Sequence, residues 1–349
     1  MHTIEDGIKN LHKDFGKEIG GKGVKFPSYD RLPTGILPLD IALAGGIPMG
    51  AVSIFYGVEN SGKTSLALRT TASYQKRYPK KRAVWIDAEN AWDEDWAVLH
   101  GVDVKNLYLF KPTTSEQAAD IADEAAFSED VGLIVVDSIA ALASNDQLEK
   151  TADKVVVAGA AKPTTTMMKK IACGMTEHAK SGSPLTVIYV NQIRHKIGFV
   201  MGNPEHLPGP VYQNYQAFLK LRLTGKPILK EKISPIPIYS DHSMKIVKKK
   251  FPAIRQTAEW QMILYPHAGH KPLEVNNRKQ AEHLLTELGY LEKHGTKEWL
   301  LHGEVYGTKT AAVDQAMSDY DDLLTTFVDD LLLLYKKDIE ETTGFKVGG

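Results

Sequence analysis

The sequence predicts an α/β fold built on a central, mostly parallel sheet. Three observations carry this expectation. Short apolar runs recur between residues 51 and 190, helical stretches separate them, and a glycine-rich segment follows the first run directly. Ala51–Tyr56, Ala83–Ile86, Leu107–Phe110, Leu133–Val136 and Leu185–Val190 are continuous rather than alternating, as in strands buried on both faces. Helical stretches over 64–77, 115–127 and 164–180 supply the crossovers that parallel strands need. In such sheets ligands bind beyond the carboxyl ends of the strands, so chemistry is expected in the residues just after each run.

The remaining elements follow in order. Ile4, Ile8, Leu11, Phe15 and Ile19 recur at spacings of three and four, one face of an amphipathic helix over 3–19 that Gly20, Gly21 and Gly23 end. A helix this short needs a docking surface, either the chain's own core or a neighbouring subunit. Leu219–Leu223, Met244–Val247 and Trp260–Leu264 read as further strands, with a proline-rich connection over 226–239. After Pro266 the pattern turns helical, through about 276–290 and 309–337. From Val313 onward nine acidic residues face only Lys336, Lys337 and Lys346, so this small C-terminal region is locally acidic.

Composition bounds the function. The 349 residues, 43% hydrophobic and 24% charged, describe an ordinary globular chain of about two domains. With 42 basic and 43 acidic residues the net charge is −1, which excludes a globally basic nucleic-acid binder but not a local basic groove. A single cysteine, Cys173, excludes an internal disulfide and suits a reducing compartment. The first residues, with Glu5 and Asp6, lack a signal-peptide core, and no apolar run is long enough to span a membrane, so a cytoplasmic protein is expected.

Gly57-Val-Glu-Asn-Ser-Gly-Lys-Thr64 matches the phosphate-loop pattern G-x-x-x-x-G-K-[ST], after an apolar run and before a helix. Backbone N–H groups of Glu59, Asn60, Ser61, Gly62 and Ser65 would face phosphate oxygens, Lys63 would neutralise the β- and γ-phosphates, and the Thr64 hydroxyl would meet Mg²⁺. Asp137, closing the run Leu133–Val136, reads as the metal partner, direct or through water, or more simply as a helix cap. Hydrolysis also needs a group to orient or deprotonate water, and Asp87 and Glu89 are both candidates from position alone.

The chain resembles the bacterial RecA recombinase family. The resemblance rests on Pro33-Thr-Gly-Ile-Leu-Pro-Leu-Asp40, Gly46-Ile-Pro-Met-Gly50, the phosphate loop, Ile86-Asp-Ala-Glu89, Val135-Val-Asp-Ser-Ile-Ala-Ala-Leu142, Asn191-Gln-Ile-Arg-His-Lys-Ile-Gly198, Met201-Gly-Asn-Pro-Glu205 and Lys245-Ile-Val-Lys-Lys-Lys250. It runs in order over roughly residues 5–265. It implies an RecA-like ATPase and DNA-binding core over 33–265, an N-terminal helix and linker over 1–32 that packs on the next subunit, and a small C-terminal α/β domain with an acidic tail over 266–349.

The same resemblance implies that Glu89 is the catalytic base and Gln192 the γ-phosphate sensor. Asp93 and Trp96 would hold adenine, Trp96 standing where the family usually has tyrosine. Lys248 and Lys250 would reach a neighbour's ATP across a filament interface. Arg194, Lys196, Ile197, Gly198, Phe199, Val200, Met201, Gly202 and Asn203 would form the second DNA loop, with the first over 147–165. Apolar side chains in such a loop suit contact with bases, and Arg194 and Lys196 suit phosphates. The chain departs from the family at Val155–Ala161 and at Gly209-Pro210, which suits a remote or phage-encoded member. The implied activity is DNA-dependent ATP hydrolysis with homologous pairing and strand exchange, cofactors ATP and Mg²⁺, and partners single-stranded DNA, homologous duplex and further copies of the chain. A ring-forming helicase-like motor, a non-catalytic nucleotide-binding regulator and a small-molecule kinase are the rival readings.

Overall fold

A computed structural model describes residues 30–142, 161–195, 205–228, 239–264 and 271–343, together with Lys9 and Lys13. The helix expected over 3–19 lies outside the described residues except at Lys9 and Lys13, which are helical. Residues 147–160 of the first expected DNA loop, and Lys196–Asn203 of the second, also lie outside them.

Strands β1 (Arg31–Leu32) and β2 (Ile47–Pro48) pair antiparallel around a short helix, Leu37–Ala42, whose six residues are all buried. Pro38 sits in its first turn, where a missing N–H costs nothing. Then come β3 (Val52–Gly57), β4 (Arg82–Asp87), β5 (Leu107–Phe110), β6 (Val131–Asp137) and β7 (Thr186–Gln192). A two-residue ladder joins β8 (Arg194–His195) to β9 (Glu205–His206). Three longer strands follow, β10 (Leu219–Ile228), β11 (Tyr239–Lys249) and β12 (Thr257–Ile263). Together they make an eight-stranded sheet ordered β12-β11-β10-β3-β7-β6-β4-β5. From β10 to β5 every pairing is parallel, while β11 and β12 extend the sheet antiparallel.

Alternation along the buried strands feeds two cores. Phe55, Trp85, Leu133, Val135 and Ile188 face helix Lys63–Arg77 through Leu66, Ala67 and Tyr74. Ile54, Val84, Ile86, Ile134, Val136 and Val187 face helices Ser115–Phe127 and Ala161–Lys180. Burial of this kind contributes about 25 cal/mol per Å² of apolar surface and holds the central strands on both sides. Strand β5 departs from the expectation of double burial: Tyr108 and Phe110 are exposed, because β5 is the sheet's edge and pairs only with β4. The expected connection over 226–239 is also shorter than the sequence suggests. Thr224–Ile228 stay in β10 by pairing with Tyr239–Ser243, and β3 reaches only Leu219–Leu223, so Pro227 lies where the strand has a single partner.

Beyond residue 270 the chain forms helix Asn277–Glu287, a three-stranded antiparallel sheet of β13 (Leu291–His294), β14 (Glu298–Leu301) and β15 (Glu304–Tyr306), and helices Lys309–Met317 and Tyr320–Thr343. The boundary expected at 265–266 falls on residues outside the described set. A third core gathers Leu284, Leu301, Val313, Leu324 and Phe327 around Leu37 and Ile41 of the first helix. No described helix is long and apolar enough to cross a membrane.

Polar bonds tie the same surfaces together. Asp40 is fully buried and accepts from Thr34 N (2.9 Å), Thr34 Oγ1 (2.8 Å), Gly35 N (3.0 Å) and Tyr320 Oη (2.8 Å). Asn277 Oδ1 accepts from Leu37 N at 2.9 Å, and its Nδ2 donates to Gly35 O at 2.8 Å. Arg69, on the helix that leaves the phosphate loop, donates to Leu273 O at 3.1 Å. Removing one buried partner leaves the other desolvated and unpaired. Tyr320→Phe is therefore expected to lower stability in urea by about 1–2 kcal/mol, and Asp40→Ala by more, since it strands several donors at once.

Candidate functional site

The central strands end in two level pairs. Gly57 lies opposite Gln192 and Asp87 opposite Asp137. Because Val136 pairs with Tyr189, Asp137 is level with Val190, so the ends of β3, β7, β6 and β4 form a stepped row in which the first two strands reach two residues further. The turn after β4 is held against β6, where Ala88 N donates to Asp137 O at 2.7 Å.

Residues 57–64 form a tight turn into helix Lys63–Arg77. Asn60 takes φ 58° and Gly62 φ 89°, left-handed values that glycine adopts at least cost. No side chain caps the helix start, and its first turn carries no acid. The leading N–H groups are therefore left uncapped by side chains, a helix start suited to an anion. Lys63 is 8% exposed and curls over this turn, its Nζ donating to Val58 O at 2.6 Å. Burial lowers its pKa, opposed by the charges of Asp137, Glu89 and Glu59. Glu59 and Asn60 are exposed at the tip, Ser61 is buried, and Ser65 is half-buried.

The exposed Thr64 donates from Oγ1 to Asp137 Oδ2 at 2.8 Å. Burial pushes Asp137 up to about 7, with Glu89 and Asp87 pushing the same way against Thr64 and Lys63. A buried carboxylate beside a hydroxyl has the chemistry to help hold a cation. Among the described residues no three His, Cys, Asp or Glu side chains cluster to hold a metal alone. Mg²⁺ fits such a sparse set, because it takes one or two protein oxygens and fills its octahedron with phosphate and water.

The structure separates the two carboxylates that position alone left equal. Asp87 is buried and accepts from Ala91 N at 3.2 Å and Trp92 N at 3.0 Å, so it shapes the turn after β4. Glu89 is exposed, and its Oε1 accepts from Gln192 Nε2 at 2.8 Å and from the Ser138 hydroxyl. A cavity of about 180 Å³ runs from Thr64, Asp137 and Glu89 to Trp92, Asp93 and Trp96. Asp93 caps helix Glu94–Leu99 by accepting from Trp96 N at 2.9 Å. Trp96 is 37% exposed, with its ring edge-on to His100 at 5.1 Å.

Below Gln192 the structure anchors both ends of the segment over 196–204. Asn191 is fully buried; its Oδ1 accepts from Gln192 N, and its Nδ2 donates to Pro208 O and Gln213 Oε1, each at 2.9 Å. Arg194 is exposed and pairs with His206, while Glu205 bonds Arg222 of β10 at 2.6 Å. Sequence reasoning singled out Gln192 but gave no role to Asn191, Ser138, Glu205 or Arg222, whose partners are distant in the chain.

Lys248 and Lys250 do not join this row. Lys248 pairs with Lys220, which pairs with Ile54, whereas Gly57 pairs with Leu223. At ~3.3 Å per residue this puts Lys248 about 10 Å back along the strands, away from its own phosphate loop. Lys248 is half-buried and donates to Asn214 O, and Lys250 is exposed just past the end of β11.

Residues 2–268 match the RecA N-terminal domain family. Protein RecA of Aquifex aeolicus is 34% identical over 349 residues, covering 98% of this chain and 96% of that protein. Protein RecA of Acholeplasma laidlawii is 35% identical over 310 residues, 87% of each. The crystal structure of the RadB recombinase aligns over 70% of this chain and 100% of its own, with 21% identity and a TM-score of 0.48.

The elevated pKa of Asp137 sets a pH dependence. Its protonated form is favoured below about 7 and cannot bind a cation. Apparent Mg²⁺ affinity, corrected for the titration of ATP itself, should fall as pH drops through that value. Asp137→Asn should weaken Mg²⁺ binding by about tenfold and flatten the dependence, as read by calorimetric titration at several pH values.

Proposed function

The chain belongs to the RecA family, and from that premise we propose that it is an ATP-dependent recombinase that assembles as a helical filament on single-stranded DNA and pairs it with homologous duplex. The observation that carries this reading is the bond between Glu89 and Gln192, which joins a hydrolytic carboxylate to the strand end leading into residues 196–204.

Each residue takes a role that its geometry supports. Backbone N–H groups of residues 59–65 cradle the triphosphate, and Lys63 uncurls from Val58 O to neutralise its β- and γ-oxygens. Thr64 and Asp137 hold Mg²⁺, directly or through water. Bound there, Mg²⁺ supplies charge neutralisation on the phosphate oxygens. Glu89 takes the proton of the attacking water, a contribution of typically ~10²–10⁴ in rate. Trp96 offers an aromatic face to adenine and Asp93 its remaining carboxylate oxygen.

Gln192 couples this chemistry to DNA. Its amide has two donors, and a γ-phosphate oxygen competes with Glu89 for them. A shift at Gln192 passes into Arg194 and Lys196–Asn203, the segment that binds single-stranded DNA through Ile197, Phe199, Val200 and Met201 on bases and Arg194 and Lys196 on phosphates. Lys248 and Lys250, remote from their own phosphate loop, serve the ATP of the next protomer. Hydrolysis then depends on assembly. Residues 1–32 pack on that neighbour, 33–265 form the catalytic and DNA-binding core, and 266–349 form a small C-terminal domain whose acidic tail limits access to duplex DNA. The protein works in the cytoplasm. Pairing is tested by base complementarity, so DNA sequence preference is weak and affinity falls steeply with salt.

Three variants test this account. Lys63→Ala should abolish ATP turnover, and retained ATPase removes the phosphate-site assignment. Glu89→Gln should bind ATP normally yet hydrolyse it at least ~10²-fold more slowly, with longer-lived filaments on DNA. Lys248→Ala turnover should recover in mixed filaments when the partner subunit carries intact lysines and a Lys63→Ala phosphate loop. Absence of recovery at every mixing ratio contradicts catalysis across the interface.

A further inference from the structure

We propose that His242 is a positioning residue for the nucleotide, holding the Ser61–Gly62 peptide so that its N–H faces the phosphates. His242 lies on β11 opposite Gly225 of β10. A Cβ on Gly225 would come within 2.6 Å of Asn60 O and 3.1 Å of His242 Nδ1, and one on Gly62 within 3.0 Å of the same nitrogen. The underside of the phosphate loop thus rests on a bare stretch of β10 and on one edge of this imidazole.

The hydrogen bonds define the ring's protonation. His242 Nδ1 sits 3.4 Å from Ser61 O. A carbonyl only accepts, so Nδ1 carries the proton. Nε2 is then the acceptor, and the Ser240 hydroxyl donates to it. The ring stacks on Trp260 at 5.6 Å and 14° and is 7% exposed. Burial lowers its pKa, opposed first by the bond to Ser61 O and then by the charge of Asp241, consistent with a neutral ring.

Peptide geometry carries the consequence upward. In a planar trans peptide the C=O of one residue and the N–H of the next point in opposite directions. Fixing Ser61 O on the underside turns Gly62 N–H to the upper side, where the anion sits. The 3.4 Å contact is long, so its effect is on orientation of the cradle rather than on folding.

This inference rests on residues 57–64 being the ATP phosphate loop. His242→Phe keeps ring volume and the Trp260 stack but loses the donor; His242→Asn keeps a donor near the Nδ1 position. In the full-length protein, His242→Phe should raise the ATP dissociation constant about fivefold to tenfold, measured calorimetrically, with the melting temperature of the ATP-free protein little changed. His242→Asn should return the constant to within about threefold of wild type. Unaltered ATP affinity in His242→Phe overturns the proposal, as does equal weakening in both variants. Should the Phe variant not fold, ring ¹⁵N shifts of the wild-type protein decide: a neutral Nδ1–H tautomer supports the proposal and an Nε2–H tautomer overturns it. Lys63→Ala separates the two layers, because normal ATP binding there refutes the phosphate loop itself whatever His242 does.

Discussion

Parallel pairing of the central strands in fixed register is the constraint on which the site depends. Gly57, Gln192, Asp137 and Asp87 come from four strands far apart in sequence, yet the ladder sets Gly57 beside Gln192 and Asp87 beside Asp137, the two pairs only two residues apart along the sheet. A one-residue slip in any of these strands would turn its apolar side chains from one core to the other, and Ile54 and Phe55 already fill opposite cores. The register is therefore enforced by burial along the whole strand. Geometry at the strand ends rests first on packing in the middle, and local bonds such as Ala88 N to Asp137 O add to it.

Charge completes the arrangement. Asp137, Glu89 and Glu59 act on the buried Lys63, while Glu89 and Asp87 add to the burial that pushes Asp137 toward neutrality. Under the proposed function, a triphosphate would offset Lys63 and an Mg²⁺ ion would offset Asp137. Asp87 is engaged by two backbone N–H groups, whereas Glu89 is the exposed carboxylate of the two. The Gln192–Glu89 bond ties the end of β7 to the turn after β4.

Much of this was legible in the sequence because its signals are local. Continuous apolar runs marked the buried strands, and the phosphate loop is contiguous. The acids at the ends of β4 and β6 follow their strands directly. What escaped was non-local or cooperative. Asn191 matters through Pro208 and Gln213, and His242 through Ser61, contacts separated by long stretches of chain. Helix Leu37–Ala42 is too short for a periodic pattern, and its burial depends on Leu284, Leu324 and Phe327 far downstream. Strand β5 read as buried because periodicity reports apolar content and cannot tell an edge from a centre. The strands over 291–306 carry mixed charges and one buried face, a weak pattern beside the helices that flank them.

The central claim is that nucleotide chemistry at the strand ends is completed only when protomers assemble on DNA. The most direct measurement is steady-state ATP hydrolysis per subunit with and without single-stranded DNA, with the same mixtures imaged by electron microscopy. The account predicts a low rate from unassembled protein and a rate that rises with the fraction of subunits in filaments. Equal rates in both mixtures, or rapid hydrolysis by monomers, would contradict it.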